Sequence, residues 1–212
     1  MYCQLLKPAR MNSHRPYRSL PARQIGFSMI EVLISIVIVA IGLLGLAGLQ
    51  ARAINAEFES YQRGQAILLA NDMVERIRMS RTSYGKFKNV SDAGTGNGYL
   101  GTAGANSYAV SCASTDAADV ALCEWDSLLR GTAETTAGNN VGAMIGARGC
   151  ITYDVASEVS GIADSGTFTV TVVWQGTQDT VAPAGNLCAT GLYGNEARRR
   201  VVSMGIRLAR LS

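Results

Sequence analysis

An α+β fold, with one long N-terminal helix whose outer half packs on an antiparallel sheet of about four strands, is predicted by three features of the sequence. The first is an apolar run from Val32 to Leu49, continued to about Arg81 by apolar residues at helical spacing. The second is a group of short segments in the second half of the chain whose apolar side chains recur at a period of two. The third is a set of glycine-rich polar stretches that cut this half into pieces of strand length.

The helix comes first in the chain and carries the most information. Phe27 to Leu49 is 23 residues, and at ~1.5 Å per residue it spans about 35 Å, enough for a bilayer core of about 30 Å. Glu31 is its one charge, and a lone carboxylate inside a membrane helix costs about 2.5–3.5 kcal/mol unless a cation meets it. The nearest candidate cation is a new amino terminus at Phe27. Five basic residues (Lys7, Arg10, Arg15, Arg18, Arg23) and no acid precede the run, which keeps this flank cytoplasmic. A secretory signal places its cleavage site after the apolar run; here Gly26–Phe27 lies in front of it, so a cut removes the basic leader and keeps the helix. Met11 is an alternative start that shortens the leader to 16 residues. Gly42, Gly45 and Gly48 form a small-residue stripe, read as a tolerated stripe or as a softened helix.

From Gln50 to about Arg81 the pattern turns amphipathic. Ala53, Ile54, Phe58, Tyr61, Ile67, Leu68, Leu69, Met73, Val74, Ile77 and Met79 are the expected apolar face, between charged residues such as Arg52, Glu59 and Arg76. The two parts together make about 54 residues and roughly 80 Å of helix, which needs a sheet behind its outer half.

Five glycines between Ser91 and Asn106 predict a flexible loop. They lack the Gly-Lys-Ser/Thr and the strand-to-helix junction of a phosphate cradle. Ser107–Cys112 reads as a short strand, followed by a helix capped by Ser114 or Thr115 and running to Leu129, with Asp116 and Asp119 at its positive end and Trp125 as a packing residue. After a polar loop from Gly131 to Ala147 come strands at Cys150–Val155, Thr167–Trp174 and Arg200–Leu208, each with one packed and one wet face.

Chemistry is limited by what the sequence leaves out. With the leader removed, the formal charge falls from +3 to −2 and the lone histidine, His14, is lost. Without an imidazole beside a nucleophile no hydrolase of the common kinds is expected, and Asp116, Asp119, Glu124, Asp126, Asp154 and Glu158 read as surface carboxylates. No enzyme activity and no cofactor are implied. Cys3 leaves with the leader, so Cys112, Cys123, Cys150 and Cys188 remain, an even number that favours disulfides in an exported head. Three pairings are open; Cys112 with Cys123 and Cys150 with Cys188 is preferred, closing a strand-to-helix loop and tying the 175–197 loop to the sheet. A zinc site lacks the paired Cys-x-x-Cys spacing, so no metal is expected. Arg198-Arg199-Arg200 could address DNA, but a triplet opening a strand reads better as edge protection, and the mature charge opposes phosphate binding.

The basic leader, Gly26 before Phe27, Glu31 as sole charge and the apolar run resemble the type IV pilins and pseudopilins. Asn71–Arg78, Gly149–Asp154, Val173–Gly176, Cys188 and Arg198–Val202 are similar to the PilV group of minor pilins, the type IV pilus modification proteins. The resemblance implies a pilin-like fold, cleavage after Gly26 by prepilin peptidase, N-methylation of Phe27, and pairing of Glu31 with a neighbouring subunit's amino terminus. It divides the chain into a leader (1–26), a transmembrane and assembly half of the helix (27–49), an amphipathic half (50–81) and a periplasmic head (82–212). The implied function is that of a minor pilin that primes assembly and sits in the pilus tip. The implied partners are the peptidase, other minor pilins, the major pilin and the inner-membrane assembly platform, with twitching and adhesion as the processes served. A minor pseudopilin of type II secretion and a DNA-binding competence pilin are the alternatives; nucleic acid is not an expected partner.

Overall fold

A computed structural model describes residues 26–80, 83–88, 90, 98–102, 110, 112–132, 135–136, 139–140 and 144–208. The chain divides into two compact units between Gly48 and Leu49. Helix α1 runs Met29–Met79, unbroken through Gly42, Gly45 and Gly48. Every residue from Gly26 to Ile54 is exposed, and the helix is long and apolar enough to cross a membrane. After it come α2 (Tyr84–Phe87), β1 (Leu100–Gly101), α3 (Ala117–Leu129), a small hairpin of β2 (Thr135–Thr136) and β3 (Asn139–Asn140), then β4 (Arg148–Asp154), β5 (Thr167–Gln175) and β6 (Arg199–Arg207).

The sheet is antiparallel with strand order β1-β4-β5-β6, which is the expected α+β architecture with four strands. Its first strand differs from the expectation. Val110 and Cys112 lie outside any strand, and the rest of the predicted 107–112 segment lies outside the described residues. The edge position is taken by Leu100–Gly101, in the stretch read as a flexible loop. Tyr99 and Leu100 are the large side chains of that stretch, and both are fully buried, which pins the backbone against β4. Gly101 permits this approach: its φ is +100°, and a Cβ there would strike the Ala147 carbonyl and Leu129. The remainder of the loop, 91–97 and 103–106, lies outside the described residues.

The main core joins α1, α3 and one face of the sheet: Met73, Val74 and Ile77 meet Leu122, Trp125, Leu129, Ile151, Phe168, Val170, Val172 and Trp174. At about 1.5–3 kcal/mol per buried large side chain, this cluster dominates the stability of the head. The face that α1 buries is narrower than the expected one. Gln62, Ala66, Ala70, Met73, Val74 and Ile77 fall on one helical stripe, whereas Ile54, Phe58, Tyr61, Leu68 and Met79 are exposed. Small alanines let α1 lie close, and larger apolar side chains flank them.

Helix α3 begins one or two residues later than predicted. Asp116, rather than Ser114 or Thr115, is the cap, its carboxylate accepting from the Ala118 amide at 2.9 Å, while Ser114 Oγ accepts from the Asp116 amide. Trp125 packs as expected, fully buried with its Nε1–H donating to the Leu69 carbonyl of α1 at 2.9 Å. Gly149 of β4 makes room for that ring.

A second cluster lies on the other face of the sheet and corrects the expectation of one wet face on β5. Tyr99, Cys150, Val173, Cys188, Ala189 and Tyr193 pack together, so Thr171 and Val173 are buried although they point away from α1. The cover is the loop after β5, folded back over the sheet.

Candidate functional site

At the start of α1, Gly26, Phe27 and Ser28 form irregular backbone before the helix begins at Met29. Phe27 is 82% exposed, so the Gly26–Phe27 bond is open to an enzyme. A Cβ added at Gly26 would meet nothing within 4 Å, so no contact among the described residues demands glycine there. Glu31 sits in the first helical turn, its amide donating to the Ser28 carbonyl at 3.0 Å, and its own carbonyl accepts from Ser35 Oγ at 2.7 Å. A carboxylate is well placed in that turn, against the positive end of the helix dipole. Its oxygens meet no cation among the described residues.

Farther along the same helix, Glu59 has the opposite surroundings. It accepts from Arg200 Nη2 at 3.0 Å, from the Thr177 amide at 3.1 Å and from the Gln178 amide at 3.3 Å. Burial alone would raise its pKa; Arg200 and the two amides outweigh that and hold the carboxyl below its ordinary value. Nothing local in the sequence marks Glu59 out, because its partners lie more than a hundred residues away.

The arginine triplet is engaged throughout. Arg198 pairs with Asp179 at 2.8 Å and Arg199, 3% exposed, with Glu196 at 2.6 Å. Arg199 also donates to the Cys188 carbonyl, and Arg200 donates to Gln178 O and Ala197 O besides Glu59. The triplet fastens the loop between β5 and β6 to the sheet and to α1, each guanidinium taken up by a carboxylate. The carboxylates considered for catalysis are likewise occupied: Asp116 and Asp119 face Lys86, Glu124 faces Arg76, Asp126 faces Arg130 and Asp154 caps a short 3-10 turn. Glu158 accepts from Tyr153, whose pKa is pushed up to about 12 by burial and by that carboxylate.

Two disulfides are present, Cys112–Cys123 with Cα atoms 5.3 Å apart and Cys150–Cys188 at 6.0 Å. The first joins an exposed turn to α3, and the second ties the covering loop to β4. Beside the second, Arg148 is buried with its guanidinium over the rings of Tyr99 and Tyr193, at 5.2 and 4.9 Å from their centroids. Burial raises the Tyr193 hydroxyl to about 12.

Comparison with known proteins agrees with this geometry. Residues 21–47 match the model of the prokaryotic N-terminal methylation motif, and residues 48–123 match that of the type IV pilin Tt1218. No curated protein and no solved structure matches the chain. The motif implies processing by a peptidase and assembly with other pilins at a membrane platform. The methylation motif covers the apolar start of α1, the pilin model takes over within the same helix and reaches into α3, and the three long strands of the sheet follow both. Over residues 21–123 the chain is therefore similar to the type IV pilins, a structural and not an enzymatic family, and its apolar helix fits a membrane anchor.

Proposed function

We propose that this chain is a minor pilin of the PilV kind, which primes type IV pilus assembly and occupies the tip or initiation complex. Before assembly it sits in the inner membrane with residues 1–26 as a cytoplasmic leader, 27–49 as the spanning half of the helix, 50–81 as its amphipathic half and 82–212 as a periplasmic head. Prepilin peptidase cuts Gly26–Phe27 and methylates Phe27, and the new amine is the cation that the membrane helix otherwise lacks. The observation that carries this reading is Glu31, whose carboxylate has no partner among the described residues, four positions from the predicted new terminus in a segment without other charge. Its own chain's amine lies too close along the helix to set a register between subunits; a neighbouring subunit's amine does both, neutralising the acid and fixing the stagger. A head rich in irregular loops suits a scarce tip position better than a repeated shaft position, where every surface must match a copy of itself. Minor pilins, the major pilin and the assembly platform are the partners. The test is in vivo crosslinking of the head to the other minor pilins, alongside a chromosomal deletion. Crosslinks to minor pilins with loss of piliation and twitching support the proposal. Intact pili with a secretion defect overturn it in favour of a type II secretion pseudopilin.

A further inference from the structure

The sheet has two edges, and the fold treats them differently. On one side β4 is covered: β1 pairs along Arg148 and Gly149, and the Ile151 amide donates to the Val90 carbonyl at 2.6 Å. On the other side β6 is bonded to β5 over all nine of its residues, Arg199–Arg207. Beyond that pairing, the Arg199 amide donates to the Glu196 carbonyl, and from Arg200 to Arg207 no backbone group bonds to another described residue. Alternate N–H and C=O groups of the strand, from Val201 to Arg207, therefore point away from the sheet. The side chains agree. Val202 and Met204 face the core yet are only half-buried, while Val170 and Val172, one strand inward, are fully buried.

Long edges are normally blunted by lysine, proline or a bulge. Between Arg200 and Arg207 there is no charge and no proline, and the register to β5 is continuous. We propose that the outer edge of β6 is a docking surface for an extended strand from a different pilus subunit, added by main-chain hydrogen bonds. The inference rests on the reading of the chain as a pilus subunit. Charge selects the occupant. A second copy offering its own β6 in antiparallel register about Ser203 sets Arg207 against Arg199, and like charges directly opposite are unfavourable. Arg198, Arg199 and Arg200 already have carboxylates, whereas Arg207 donates only to the carbonyls of Ser165 and Ser157 and meets no carboxylate among the described residues. The fitting strand is uncharged and β-prone along its middle, carries apolar residues over Val202 and Met204, and brings a carboxylate to Arg207.

The experiment places the photoreactive residue p-benzoylphenylalanine at Ser203 or Gly205 in the full chain in cells, with Val181 on an exposed loop as control. Adducts in the pilus fraction are mapped by mass spectrometry. The expected result is one extended segment of another subunit, its contact points for positions 203 and 205 two residues apart. Arg207→Glu lowers the adduct yield at least fivefold and Arg207→Lys retains it, with thermal melting of both variants confirming the fold. Adducts to a second copy, adducts without strand spacing, or no adduct from a chain present in the pilus overturn the proposal. If the unmodified chain is missing from the pilus fraction, the pilus-subunit reading fails instead. The edge is then judged by the same adducts in the membrane fraction, where their absence overturns it too.

Discussion

Glu31 and Glu59 lie on one helix and illustrate how differently a carboxylate can be used. Glu31 has no partner among the described residues, and on the proposed reading its partner comes from another subunit, so its effect would belong to assembly. Gly26→Ala is expected to leave unprocessed precursor in the membrane. Because the open space at Gly26 accepts a methyl group, that failure reports on the peptidase and not on folding. Glu31→Ala is expected to be cleaved normally but to enter pili poorly. Immunoblots of membrane and sheared-pilus fractions separate the two outcomes, and normal incorporation of Glu31→Ala counts against its pairing role. Glu59, by contrast, is satisfied within the head, and its effect belongs to stability. A carboxyl whose folded pKa is depressed contributes stability above its unfolded pKa of about 4.5 and loses it as pH falls through the folded value. Thermal melting should therefore show a falling midpoint below about pH 4.5. Glu59→Gln should lower the neutral-pH stability by about 1–2 kcal/mol, a charge-assisted interaction reduced by partial exposure, and should flatten the acid limb.

At the scale of elements, period and charge gave the second half of the chain most of its strands. The predicted Cys150–Val155, Thr167–Trp174 and Arg200–Leu208 became β4, β5 and β6 with ends shifted by two residues at most, because alternation is a property of neighbours in sequence. Burial of Tyr99 and Leu100 was not legible, since glycines around them signal a loop and their partners come from β4 and α3. The apolar face of α1 was overestimated for a related reason: Ile54 and Leu68 have the right hydrophobicity, but the surface that α1 lies on favours the alanine stripe between them. The covering loop after β5 depends on a crosslink as well as on packing. Loss of Cys150–Cys188 frees a loop of 38 residues, against 11 for Cys112–Cys123. By chain entropy the longer bridge contributes about 1 kcal/mol more. Cys150→Ser with Cys188→Ser should therefore cost more stability than Cys112→Ser with Cys123→Ser. It should also expose the second core cluster, as seen by urea melts and by dye binding to apolar surface. Equal losses for the two pairs speak against this role for the covering loop.

For the whole molecule, charge placement decides which partners are addressed. The arginine triplet is a phosphate-binding motif only while its guanidiniums are free, and here Asp179, Glu196 and Glu59 take them up. Replacing Arg198, Arg199 and Arg200 together by alanine is expected to lower the melting temperature by several degrees without changing DNA retention, which should be negligible at moderate salt for both proteins. A salt-sensitive loss of DNA binding in a variant that still folds would count against this assignment.

By itself the sequence determined the membrane helix, its single acid, the processing motif in front of it and the antiparallel strands, because each is written in residues close together in the chain. Tertiary structure alone decided which cysteines meet, which carboxylates the arginines hold, how Tyr99 and Leu100 enter the core, and that one sheet edge has no further partner among the described residues. The longest of those links, Cys150–Cys188 and Glu59–Arg200, join residues 38 and 141 positions apart, which local periodicity does not encode.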